Sequence, residues 1–275
     1  MRNNTTTGGA LGTSVGGGIW NGGQVTIRDA SVTGNVAGNG GGGGLYNTSG
    51  AAVNLVRAAL VGNQAMFGPG GGIANLGVLT ITASAIVSNS SVTTGGAIST
   101  TGTLTLLNTT LSGNTASVGA GGLVNTGSAV LNFVTVARNT GSAAGGLANS
   151  GTLTLSNSLL ADNSGAPFDC SGTVTSLGYN LIGHTTGCTL TGPGTGDKKN
   201  IAPLITDLID QGGALRFHDL LDFSPALEGA DPSGGACPAT DQRGVARPIH
   251  PRCDMGAIES SAVAYLYLFL PLIMK

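Results

Sequence analysis

The side chains able to do acid, base or redox chemistry in this 275-residue chain are few and unevenly placed. Of 13 acidic residues only Asp29 and Asp162 precede Asn163, and all three histidines, His184, His218 and His250, follow it. Hydrolysis of a glycosidic bond needs two carboxylates about 5 to 9.5 Å apart. Asp29 and Asp162 fall in the first and sixth of the repeats described below, about 24 Å apart if each repeat adds about 4.8 Å. A lyase needs a base beside carboxylates that hold calcium or neutralise a sugar acid. The repeats offer only Arg28, Arg57 and Arg138, each on a different unit.

The histidines lack the i, i+4 spacing of a metal-binding helix, and there is no G-x-S-x-G nucleophile motif. The glycine runs, including 40–44, lack the Lys-Ser/Thr of a phosphate loop, and calcium-binding G-G-x-G-x-D nonapeptides are absent. No catalytic, metal-binding or cofactor-binding residue is therefore expected. Asp241, Arg243, Arg247, Asp254 and Glu259 form the one polar cluster that could be a site. Paired charges pinning an irregular segment are the expected account of it.

Cys170, Cys188, Cys237 and Cys253 have no C-x-x-C spacing. Three disulfide connectivities are possible, as are four free thiols; the local pairs 170–188 and 237–253 are the simplest. Disulfides would place the chain in an oxidising compartment. Net charge is −2, and 9% of residues are charged. Nucleic-acid binding, which rests on Lys and Arg neutralising phosphates, is excluded.

What must position these groups is a sixfold repeat. Ile19, Leu45, Ile73, Ile98, Leu123 and Leu147 each follow a pair of small residues, and Asn35, Asn63, Asn89, Asn114, Asn139 and Asn163 close the units. Two marks drifting together at a period near 25 define a solenoid. Within each unit two aliphatic columns lie two residues apart: Val25, Val53, Leu79, Leu104, Ala129, Leu153, and Ile27, Leu55, Ile81, Leu106, Leu131, Leu155. That is strand periodicity with one face inward. A third column runs Val32, Leu60, Ile86, Leu111, Val136, Leu160. Turn residues separate them.

The expected fold is all-β: a right-handed, single-stranded parallel β-helix of three short strands per rung, about 25 residues each, with an irregular C-terminal cap over its open end. The recurring Asn could display ligand or occupy a turn at positive φ with its amide stacked in a ladder; the ladder is expected, with a second one through Asn21, Asn47, Asn75, Asn125 and Asn149. The outward column Thr26, Asn54, Thr80, Thr105, Val130, Thr154 has no second Thr row two residues on, which argues against ice binding.

The phrases 16–21 (GGGIWN), 42–47 (GGGLYN), 70–75 (GGGIAN) and 95–98 (GGAI), with 102–114 as companion, resemble the repeats of polymorphic outer membrane proteins and related bacterial surface β-helices. In the tail, Pro203-Leu204, 210–213 (DQGG), 224–229 (SPALEG), 241–248 (DQRGVARP) and 253–259 (CDMGAIE) resemble the choice-of-anchor Q domain. The resemblance implies a pectin lyase-like fold in a secreted, cell-surface bacterial protein, adhesin-like or structural, whose partners are glycans or other surface proteins. A carbohydrate-active enzyme, with its site in the cap or in upstream rungs, is the alternative.

The divisions expected are 1–15, a partial rung or disordered start; 16–183, the β-helix; 184–261, the cap; and 262–275, a hydrophobic tail resembling a sorting or attachment signal. That tail is too short for a spanning helix and is interrupted by Pro271. Residues 1–8 lack the apolar core of a signal peptide, so further rungs and a leader are expected upstream. The protein is expected to be a monomer.

Overall fold

The computed structural model describes residues 1–7, 14–212, 216–233 and 237–264. The chain winds into a parallel β-solenoid of about 7 turns, with about 25 residues per turn and no helix among the described residues. The second rung shows the plan: Leu45–Asn47, Ala52–Val56, Ala59–Val61 and Gln64–Ala65. The three expected strands recur in each repeat, except that the second and third run on as one strand in the fourth and fifth, Thr103–Ser112 and Ser128–Ala137. A fourth, two-residue strand follows the closing Asn of the first five repeats, and these five with Thr5–Thr6 form a separate six-stranded sheet. Its inward residue is small, as in Ala37, Ala65, Ser91 and Ala116, all buried, so this side left no hydrophobic period in the sequence.

Rungs stack in register, Ile27 on Leu55, Ile81, Leu106, Leu131 and Leu155, and the aliphatic columns form one continuous core. The small pair before each first strand is required by backbone crowding. A Cβ on Gly43 would lie 2.4 Å from the carbonyl oxygens of Gln64 and Gly71, a distance no side chain tolerates. The bend between second and third strands places one residue per rung at positive φ, from Asp29 and Arg57 to Phe133 and Asn157.

Residues 2–6 stack on the first rung like the end of another one. Arg2 bridges Thr33, and Thr5–Thr6 pairs in parallel with Val36–Ala37. At the other end, Cys188–Thr191 returns to pair with 172–175 after sixteen residues, a shortened turn closed by the Cys170–Cys188 disulfide.

The segment from residue 200 onward is irregular, apart from the antiparallel pair Ile209–Asp210 and Arg216–Phe217. It lies along the flank of the solenoid, on the outward face of the third strands, and not simply over the last rung as expected. Ile205, Leu220, Ala226, Leu227 and Met255 join Ala137, Leu159, Ala161 and Leu181 in one cluster; Ala230 and Cys253 pack on Phe133. Hydrogen bonds continue the seam: Asn108 donates to the Thr240 carbonyl, Thr110 to Gln242, and the Ala257 N–H to Thr135. Consequently Ser31–Thr33 is buried on one face, whereas Ala85–Val87 and Leu159–Ala161 are buried on both. We call residues 200–264 the flap. Most of the hydrophobic terminal tail, residues 265–275, lies outside the described residues.

Candidate functional site

The recurring Asn displays nothing. In each of five steps from Asn35 to Asn163, the backbone N–H and Nδ2 of one Asn both donate to the Oδ1 of the next, at 2.8 to 3.0 Å. The second Nδ2 hydrogen goes to a third-strand carbonyl, as from Asn114 to Ile86 and from Asn139 to Leu111. All six are buried. The positive φ expected of them belongs to the residue before, Gly34, Gly62, Ser88, Gly113, Arg138 and Asp162.

Asn4 heads the ladder by donating to Asn35, and Asp169 ends it by accepting both donors of Asn163 on Oδ1. An acceptor-only carboxylate suits the last place, where no further amide follows. The second ladder runs Asn21 to Asn47 to Asn75 and ends on Thr100 Oγ1; Asn125 and Asn149 form a separate pair.

The polar cluster of the flap is brought together by the fold and consumed by it. Arg247 and Glu259 have fully buried side chains and pair at 3.0 Å. Arg247 also donates to the carbonyls of Asp254 and Gly256, and its guanidinium lies 4.7 Å from the Phe133 ring centre. Asp241 accepts backbone N–H groups from Arg243, Val245 and Glu259, and Arg243 closes on it at 2.8 Å. Glu259 accepts from the Ile249 and Asp254 N–H groups; Asp254 accepts from those of Glu228 and Ser260. Burial, with Glu259 adding to it, pushes the Asp254 carboxyl up to about 7. Carboxylates saturated by backbone donors hold loops in place.

The histidines diverge. His218 is buried, its Nε2 2.7 Å from Ser112 Oγ and its Nδ1 2.9 Å from the Thr206 carbonyl. Nδ1 must donate to a carbonyl, so the ring is the neutral tautomer that accepts from Ser112, and burial lowers its pKa. The His184 side chain is 58% exposed, lies against the Phe168 ring at 4.9 Å with a tilt of 40°, and is 3.4 Å from the buried Asp169. Burial raises the Asp169 pKa against the hydrogen bonds it accepts. His184 opens on a cavity of about 220 Å³ with Asp162, Asn200 and Pro203. Both local disulfides are formed, 170–188 and 237–253.

On the repeat wall Asp29 is held by Arg57 of the next rung, at 2.6 and 2.8 Å, and remote from Asp162. The open faces of the first and second strands are otherwise nearly uncharged. In later rungs Thr103, Thr152, Thr173 and Thr189 precede Thr105, Thr154, Thr175 and Thr191 by two residues. Paired threonines thus stand on the N-terminal side of that column, not on the side two residues on. Among the described residues no group of three or more His, Cys, Asp or Glu could hold a metal.

Fold and geometry define a parallel β-solenoid with a flank-docked, disulfide-bonded flap. No family model, curated protein or solved structure matches the chain.

Proposed function

We propose that this is an exported module of a bacterial cell surface, adhesin-like or structural, that offers its uncharged wall to glycans or to neighbouring surface proteins. One observation carries the reading: the polar cluster of Asp241, Arg243, Arg247, Asp254 and Glu259 is locked inside the flap, while the open faces of the first and second strands are nearly uncharged. The two disulfides support an oxidising, extracellular setting. Resemblance of the repeats and flap to surface β-helix and choice-of-anchor Q sequences supports attachment through residues 262–275.

One observation favours the enzymatic alternative, a carbohydrate-active hydrolase or lyase. Exposed His184, oriented by buried Asp169 beside a cavity that Asp162 also lines, has the arrangement of a general base and its positioning acid. A glycan-binding and polysaccharide-degradation screen of the full chain separates the two. Retention without turnover supports the surface module; turnover abolished by His184→Ala, with folding intact, establishes the enzyme.

A further inference from the structure

The first three rungs of the wall differ from the rest. Trp20, the only tryptophan of the chain, is 60% exposed on the outward side of the first strand, and Tyr46 is its register partner on the next rung. A Cβ at Gly22 would lie 2.4 Å from its Cη2, so glycine at this turn leaves room for the ring.

Across that turn an open groove of about 480 Å³ is lined by the outward residues Gln24, Thr26, Ala52, Asn54, Val78 and Thr80. The Asn residues of the two turns are spent in the buried ladders; Asn54 stands in a column of mainly threonines and faces outward. Gln24, Thr26, Asn54 and Thr80 make no side-chain hydrogen bonds to the described residues, so their donors and acceptors are open.

From this juxtaposition we infer that Trp20, Tyr46 and the Gln24–Asn54–Thr80 groove form a binding site for a neutral glycan chain. This deepens the surface-module reading and rests on it. The chemistry selects the occupant. Sugar rings have C–H faces that lie on an indole and hydroxyls that both donate and accept, as the amides and hydroxyls beyond the turn do. No charged side chain lines the groove, which removes the recognition an acidic polysaccharide needs. A peptide added as a strand would need unpaired backbone, and these strands are already paired rung to rung. An apolar ligand would find a shallow, polar-lined surface in place of an enclosed pocket.

Trp20 makes the test direct, because all tryptophan fluorescence of the protein comes from it. The full chain is applied to an array of neutral glycans, and a retained oligosaccharide is titrated against it, with hexagalacturonate as the acidic control. The expected result is a saturable shift in Trp20 emission with the neutral probe and none with the control. Trp20→Ala should weaken retention about tenfold, and Asn54→Ala severalfold, with thermal unfolding unchanged. The wild-type emission change stands as evidence even if a variant folds poorly. Glycan retention that leaves Trp20 emission unmoved and survives both substitutions overturns this site and spares the surface-module reading. Retention of no neutral glycan overturns the site and removes the glycan arm of that reading with it.

Discussion

The wall and the flap solve the same problem, satisfying polar groups away from water, in opposite ways. The wall repeats one neutral device: an Asn whose backbone N–H and Nδ2 both donate to the Oδ1 of the next, and whose own Oδ1 accepts the same pair from the one before. The flap uses each contact once, through buried charges, a disulfide and single hydrogen bonds that span more than a hundred residues, from Thr110 to the Gln242 side chain and from the Ala257 N–H to Thr135. A repeated device spreads its cost over every rung and makes each rung depend on its neighbours. A collection of single contacts can be lost as a unit while the solenoid stays wound. The two regions should therefore fail differently.

The largest effect is expected in the middle of the main ladder. Asn114→Ala removes the acceptor of the Asn89 N–H and Nδ2 and the donors to Ile86 and Asn139, all buried. Each orphaned group costs about 1 to 3 kcal/mol, so a loss of about 4 kcal/mol or more is expected, shared by the whole stack. Urea unfolding followed by far-ultraviolet circular dichroism should shift as one transition. A split transition, or a shift confined to the flap, would contradict the coupling of rungs.

Arg247→Met should come next, at about 3 to 5 kcal/mol, because Glu259 would remain buried without its cation. Here the loss should be local. Proteolysis should open residues 200–264 while the ladder amides keep their hydrogen-exchange protection. Loss of protection at Asn89 and Asn114 would show that the flap is part of the solenoid's own stability.

The same contrast explains which features are legible in the sequence. The aliphatic columns and closing Asn residues announced the solenoid because stacking demands the same residue at the same place six times. The ladder bonding of those Asn was legible for that reason. Its ends were not: Asn4 and Asp169 occur once each, and Asp169 sits only six residues past Asn163, off the period of the repeat. The fourth strand side was silent because alanine and glycine carry no hydrophobic period.

The flank docking did leave a trace, since outward third-strand residues change from Ser31 and Thr33 to Ala137, Leu159 and Ala161. The trend points to a cover over that flank, yet it does not say which part of the chain supplies it. The polar cluster was legible as residues. Its burial and its bonding to the loops of the flap were not.

A smaller effect should follow from opening one disulfide. Loops of 18 and 16 residues are closed by Cys170–Cys188 and Cys237–Cys253, and each closure is worth about 3 kcal/mol in the loop-entropy account. The paired replacement Cys237→Ser with Cys253→Ser should destabilise the flap alone. The paired replacement Cys170→Ser with Cys188→Ser should fray the last rungs, where Thr173–Thr175 meets Thr189–Thr191. Differential scanning calorimetry with proteolysis would assign each loss. Equal fraying of the rungs by both would erase the distinction between the regions.

The smallest effect is one of pH, and it too should separate them, because the ladders between Asn4 and Asn163 contain nothing that titrates. His218 is docked as a neutral ring with a lowered pKa, whereas a released His218 takes up a proton near its ordinary 6.5. Released flap then binds more protons than docked flap, so acidification through 6.5 weakens docking. Asp254 acts in the opposite sense. Docked, it holds a proton up to about 7; released, it ionises above its ordinary 3.8. Docking is therefore strengthened by this group below about 4, and that advantage is lost as pH rises to about 7. Asp169, its pKa also raised by burial, adds the same sign at the ladder's end. The opposing slopes overlap below about 6.5 and partly cancel in the native chain. His218→Gln removes one of them, so flap docking in that variant should strengthen steadily from pH 7 down to pH 4.5 in urea titrations, whatever baseline the lost Ser112 and Thr206 contacts set. A variant profile parallel to the native one would mean that His218 does not carry the acid-side loss.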